Sequence, residues 1–364
     1  MENGGIMKSF DEFKSEFRDK LLNELEKRIK MPLDCKRHDI SKVNEKYESL
    51  TIGPEGSNVS VNARLDKAFE SYRNGNTMDA VVQRVADAVE RALYNIPDVK
   101  KGLPDLEKYE DVKSRLVMEI ISIEENKPML ENIPHKDLED MAIIYRIDAK
   151  EIAGDGASIV VNNSLMEKYG LTLEQLHEDA MQSAPVVRPM VIEGMATVLA
   201  KSLGAEDIGM LGLDIPPEQE QMFVATVKGN THGASVLAYE DFMDKAAEKL
   251  GGDFFILPSS LHEVILIPDN GQFEVDTLKA MVKDINESQV APEDRLTNSV
   301  YHYDSKEKIF EMGEKFEARQ REMAHPEKKK SVLAELKAAK EEIASRPKKE
   351  VVDKGAKAVE GMAL

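Results

Sequence analysis

The stretch Pro258-Ser259-Ser260-Leu261-His262-Glu263 brings two hydroxyls, an imidazole and a carboxylate close together along the chain. A base oriented by an acid, beside a hydroxyl that can attack, is what acyl transfer requires. The run lies between two apolar stretches that read as strands, and neighbouring strand residues point to opposite faces. His262 and Glu263 are therefore not expected to serve one atom. No Gly-x-Ser-x-Gly turn is present to expose a nucleophile. The plainer reading gives Pro258, Ser259 and Ser260 to a turn, with His262 and Glu263 bonding nearby backbone.

Two other histidines stand in suggestive company. His135 is followed by Asp137, Glu139 and Asp140, which together offer one nitrogen and several oxygens to a metal. Their spacing matches neither a His-Glu-x-x-His helix nor a calcium loop, and an acid-rich helix start or loop accounts for them better. His232 and Asn230 lie in the turn Gly229-Asn230-Thr231-His232-Gly233, where Asn and Gly tolerate positive φ. Loops of this kind carry function, and so do they close ordinary hairpins. Cys35 and His38 lack a third orienting group, which favours a structural thiol. Walker, Gly-x-Gly-x-x-Gly and paired Cys-x-x-Cys motifs are missing from the sequence. No catalytic residue, cofactor or metal is assigned on these grounds.

The composition narrows the partners. A formal net charge of −19 repels phosphate backbones and anionic lipid, so the acidic body is not expected to bind nucleic acid or a membrane. The chain lacks Trp and is 5% aromatic, which leaves few stacking platforms for bases or sugars. A single cysteine cannot staple a fold and suits a reducing cytoplasm. The first residues show no basic stretch leading into an apolar run, so no signal peptide is expected. The 18 methionines fall mostly on apolar faces and read as core filling.

Periodicity supplies the elements that must position these groups. Ser9-Phe10-Asp11-Glu12 is a capping box ahead of a stripe Phe10, Phe13, Phe17, Leu21, Leu25 and Ile29 that ends at Pro32. Residues 37–61 read as a small strand meander, and 65–72 and 78–93 as helices. Residues 112–123, 141–147 and 158–161 read as strands, the last two separated by a turn at Gly154-Asp155-Gly156. Thr172-Leu173-Glu174-Gln175 opens a further helix. The order strand, strand, helix then recurs: 222–227 and 234–238 around the His232 turn, a helix over 239–250, strands at 254–257 and 264–267, and a helix after Asp269-Asn270-Gly271. The short links require antiparallel pairing, so the expected fold is α+β, with helices on one face of mainly antiparallel sheets. Three regions are expected: 8–150, helical with a small sheet; 151–305, α+β, packed with the first or separate; and 306–364, a charged helical or disordered tail. Residues 311–364 hold 13 Lys and Arg against 11 Asp and Glu, while the rest holds 36 against 57.

Three runs carry a family resemblance: residues 134–145 from Pro134 to Tyr145, residues 255–268 from Phe255 to Pro268, and Leu296-Thr297-Asn298-Ser299-Val300-Tyr301-His302-Tyr303. Over roughly residues 8–305 the chain resembles the bacterial family called domain of unknown function 5688. The resemblance implies a setting in or near bacterial mobile elements and supplies no activity, cofactor or catalytic residue. The expectation is a non-enzymatic accessory or interaction protein with protein partners. The rival is a hydrolase-like enzyme using Ser259, Ser260, His262 and Glu263, with His135 or His232 folded close. A third reading makes the acidic body a nucleic-acid mimic.

Overall fold

The Ser9 hydroxyl accepts from the Glu12 amide and the Glu12 carboxylate accepts from the Ser9 amide, closing the capping box that starts α1, Phe10–Arg28. Phe13, Phe17, Leu21 and Leu25 are fully buried along one side of that helix, each contributing about 1.5–3 kcal/mol. They pack against a three-stranded antiparallel sheet, β1 Leu33–Lys42, β2 Glu45–Pro54 and β3 Val61–Arg64. Helices α2, Leu65–Arg73, and α3, Met78–Tyr94, complete this smaller core. The computed structural model describes residues 8–55, 60–94, 106, 108–150, 157–203 and 219–324. The turn expected at Gly154 lies outside them, as does the rest of the tail.

The larger core begins after the short helix α4, Tyr109–Val112, with β4, Leu116–Ser122, a strand buried at every position. Through α5, Ile123–Leu130, the chain returns as β5, His135–Leu138, and β6, Met141–Asp148. β7, Ser158–Val160, pairs with the end of β6, giving a four-stranded antiparallel sheet. Helices α6, Asn163–Tyr169, and α7, Leu173–Val187, follow; the Thr172 capping box opens the second. A six-stranded sheet, also antiparallel, takes β8 Met190–Gly194, β9 Phe223–Val227, β10 Phe254–Leu257, β11 Val264–Pro268, β12 Tyr301–Asp304 and β13 Ile309–Met312, in the spatial order β13-β12-β10-β11-β9-β8. Helices α8, Met195–Leu203, α9, Phe242–Leu250, and α10, Val275–Ser288, alternate with these strands. One hydrophobic core joins the two sheets, drawing on residues from Val112 to Tyr303 and so from both sides of residue 150.

The compact unit extends over Met1–Gly313, and a second unit covers Glu314–Leu364, whose described part is residues 314–324 of the helix α11, Gly313–Ala324. Two expectations are corrected here. Residues 234–238, read as a strand, form a fully buried 3-10 helix, Gly233–Ala238. A short apolar run fits either geometry when both sides are enclosed, and its burial on all faces removes the alternation that marks a strand. Residues 309–312, placed in the tail, form the edge strand β13 against β12. Among the described residues no helix is long and apolar enough to cross a membrane.

Candidate functional site

Gly229, Asn230 and His232 all take positive φ, at 91°, 57° and 54°. The turn does not close a hairpin; it swings the chain from β9 into the 3-10 helix and lays it against the β10–β11 loop. A Cβ on Gly233 would lie 1.9 Å from the Thr226 Oγ1 and 2.1 Å from the His262 carbonyl oxygen, so only glycine allows the approach. Thr226 Oγ1 donates to that same carbonyl at 2.7 Å. The His232 and His262 rings consequently stand 5.8 Å apart between centroids.

Each imidazole meets a carboxylate from a distant part of the chain. His232 Nδ1 lies 2.8 Å from Oε1 of Glu119, a residue of β4 that is 1% exposed. That approach is close in distance but falls outside hydrogen-bond alignment. Arg146, on the neighbouring strand β6, donates from Nη1 to the other Glu119 oxygen at 2.8 Å and from Nε to Ser158 Oγ. Burial works against ionisation of Glu119 more than any other single influence, but His232 and Arg146 together outweigh it and hold the carboxyl below its ordinary value. A second buried pair, Arg188 with Asp148, lies alongside, and Arg188 also reaches the Thr231 carbonyl.

His262 has both ring nitrogens engaged. Its Nδ1 accepts from the His232 amide at 3.3 Å, which places the ring proton on Nε2, facing Asp294 Oδ1 at 3.1 Å. Ser260 Oγ accepts from the His262 amide, and the backbone of Ser259, Ser260 and Leu261 is laced to residues 294–296. Neither Ser259 nor Ser260 bonds an imidazole. Glu263 is half-buried beside them, on the residue before β11. His232 is therefore brought to His262, whereas His135 is not part of the group: it lies on β5 and bonds the Ile133 carbonyl. In the acid-rich segment after Pro134, Asp137 lies on β5 while Glu139 and Asp140 occupy the hairpin turn, so the acids sit on a strand and a loop and not at a helix start. Among the described residues no three His, Cys, Asp or Glu side chains converge as metal ligands. Cys35 is half-buried on β1, and burial is the main influence pushing its thiol up.

Asp140 belongs to a different gathering. It sits with Glu139, at φ 58°, in the two-residue turn between β5 and β6. Its carboxylate accepts from Thr297 Oγ1 at 3.1 Å, Ser299 Oγ at 2.7 Å and the Tyr301 hydroxyl. Burial first, then the Asp140 charge, pushes the Tyr301 phenol far up, so it remains a donor. Glu139, Asp140, Thr297 and Ser299 border an open cleft of about 670 Å³ that also takes in Asn44, Glu125, Asn286 and Arg295 but no histidine. Asn44, at the tip of the β1–β2 hairpin, donates from its side chain to the Glu293 and Arg295 carbonyls and exchanges bonds with buried Asn126. The sequence reading missed this cleft. Its one usable signal was Thr297-Asn298-Ser299, a run of short polar side chains between apolar residues.

The molecule is thus an antiparallel α+β protein with an ionic network at the buried Glu119 and a separate polar cleft. Over residues 10–305 it matches the model of a family of unknown function, DUF5688, and the chain belongs to that family. No curated protein and no solved structure shows a significant match to it.

Proposed function

We propose that the chain is a non-enzymatic accessory protein that works by binding a partner through the cleft bordered by Asn44, Asp140, Asn286 and Arg295, in the bacterial mobile-element setting that the family resemblance implies. The observation that carries this reading is the cleft itself: it lies in the size range of ligand sites, and polar groups from five separate stretches of chain converge on it. The Ser260 hydroxyl accepts from the His262 amide and both His262 ring nitrogens are bonded elsewhere, so the 258–263 run offers the hydrolase reading no hydroxyl hydrogen-bonded to a base. The test compares limited proteolysis and hydrogen exchange of the full chain alone and with candidate binding probes. Protection centred on residues 122–125, 139–140 and 295–299 supports the proposal; protection elsewhere overturns it.

One observation favours a second reading. His232, held at φ 54°, places its Nδ1 2.8 Å from Oε1 of the buried Glu119, a juxtaposition of imidazole and carboxylate on which acid–base chemistry can be built. Turnover of chromogenic esters or phosphoesters that disappears in H232A, with folding intact, would establish that reading and displace the first. Equal, background rates in both proteins would remove it.

A further inference from the structure

We infer that the groove between α1 and the outer edge of β1 takes an acidic segment of a polypeptide partner, added in extended form as a fourth strand of the small sheet. The groove encloses about 600 Å³ and shares no lining residue with the cleft described above, so either surface can stand without the other. Two observations carry the inference. The first is the edge itself. β1 stands outermost in the order β1-β2-β3 and pairs with β2 along its whole length, Leu33 to Lys42. In an antiparallel pair, alternate residues turn their N–H and C=O away from the partner strand. On β1 none of those outward groups bonds another described residue. Cys35 to His38 line the groove without a gap. Neighbouring side chains on a strand point to opposite faces, so a continuous lining means that the groove reaches the backbone edge between them.

The second is charge. Four cations, Lys14, Arg18, Lys36 and Arg37, line the groove against one carboxylate, Asp11, in a molecule of formal net charge −19. Lys14 is held by Asp11 and Glu48, and Lys36 by Asp34. Arg18 meets a carboxylate only at 3.9 Å, and exposed Arg37 forms no ion pair among the described residues. Screening at physiological salt confines attraction to about 8 Å, so a segment in the groove responds to these cations and not to remote carboxylates. Main-chain bonds to the free edge then supply affinity, and the cations select acidic side chains. Charged residues along an edge ward off indiscriminate pairing, and cations relax that barrier only toward an acidic strand. A second copy of the chain, paired on the same run, would bring its own Lys36 and Arg37 into the groove.

The experiment titrates the full chain calorimetrically, at about 0.15 M NaCl, with a capped hexapeptide of alternating glutamate and valine. Three more peptides accompany it: one N-methylated on the valines, one N-methylated on the glutamates, and one with lysine in place of glutamate. An added strand turns the N–H groups of only one alternate set toward β1. Methylation of one set is therefore expected to weaken binding about tenfold, while methylation of the other leaves it near the parent value. R37E, at an exposed position with no ion pair to lose, is expected to weaken the parent several-fold, and K283E, the same charge change on α10, to match wild type. Equal binding of the parent and both methylated peptides would reduce the contact to charge attraction and overturn strand addition. Equal weakening by R37E and K283E, equal binding of the lysine peptide, or no binding of the glutamate peptide would each overturn the inference. Binding of oligouridylate that R37E abolishes would give the groove to a nucleic-acid backbone instead. A concentration-dependent dimer that R37E abolishes would give it to a second copy of the chain.

Discussion

Glu119 and Gly233 show how single residues hold the junction between the sheets. Glu119 is the one ionisable residue of β4, and its two oxygens meet an imidazole and a guanidinium from different elements. Replacing it by alanine leaves Arg146 and His232 facing an apolar space, and a loss of about 3–5 kcal/mol is expected in urea denaturation. Its pH dependence has a definite sign. The folded carboxyl titrates below the ordinary value of 4.5, so its stabilisation is fully present above that value and is lost as pH falls through the folded one. Urea midpoints measured from about pH 6 to pH 3 should therefore fall more steeply for wild type than for E119Q; parallel curves would contradict the assignment. Gly233 acts through space instead of charge. Its substitution by alanine drives a methyl into the His262 carbonyl, and about 1–3 kcal/mol of destabilisation is expected, with no rescue from trimming Thr226 alone because the second obstacle is backbone.

At the scale of elements, the β1–β2 hairpin couples the small core to the large one. Its tip residue Asn44, at φ 58°, places an amide among Asn126, Glu293 and Arg295. N44G preserves the backbone conformation and removes only the side-chain bonds, so a loss of about 1–3 kcal/mol with an unchanged urea m-value measures that docking. A lower m-value would mean that the hairpin's release lets the smaller core unfold separately. The hairpin itself was legible from its strand-like texture, and both capping boxes and the stripe on α1 gave their helices directly. What escaped were elements whose local pattern is ambiguous. Ile309-Phe310-Glu311-Met312 lies among lysines and glutamates that mask its edge-strand character, and residues 234–238 carry no alternation because every side is enclosed. The site was illegible for a different reason. Glu119, Arg146, His232, His262 and Asp294 come from five segments, and no local spacing encodes a meeting that only the stacking of two sheets produces.

For the whole molecule, the dominant quantity is the charge of −19, and its effect on stability opposes that of the visible ion pairs. Excess carboxylates repel one another in the compact state more than in the expanded chain, a cost that salt relieves. Most of the ion pairs that salt would weaken are exposed, such as Lys67 with Glu70 and Lys283 with Glu287, and each contributes at most about 1 kcal/mol. The pairs that matter most, Arg146–Glu119 and Arg188–Asp148, are largely buried and less screened. Repulsion therefore outweighs attraction among the salt-sensitive terms. Raising NaCl from about 0.02 M to about 0.3 M, which shortens the screening length to less than 10 Å, should raise Tm by a few degrees. Sucrose at matched osmolality, which leaves charge interactions unscreened, separates this effect from general solute exclusion. A Tm that falls with NaCl would mean that the surface pairs act as a cooperative network, and the stability of the fold would then have to be credited to them and not to its two cores.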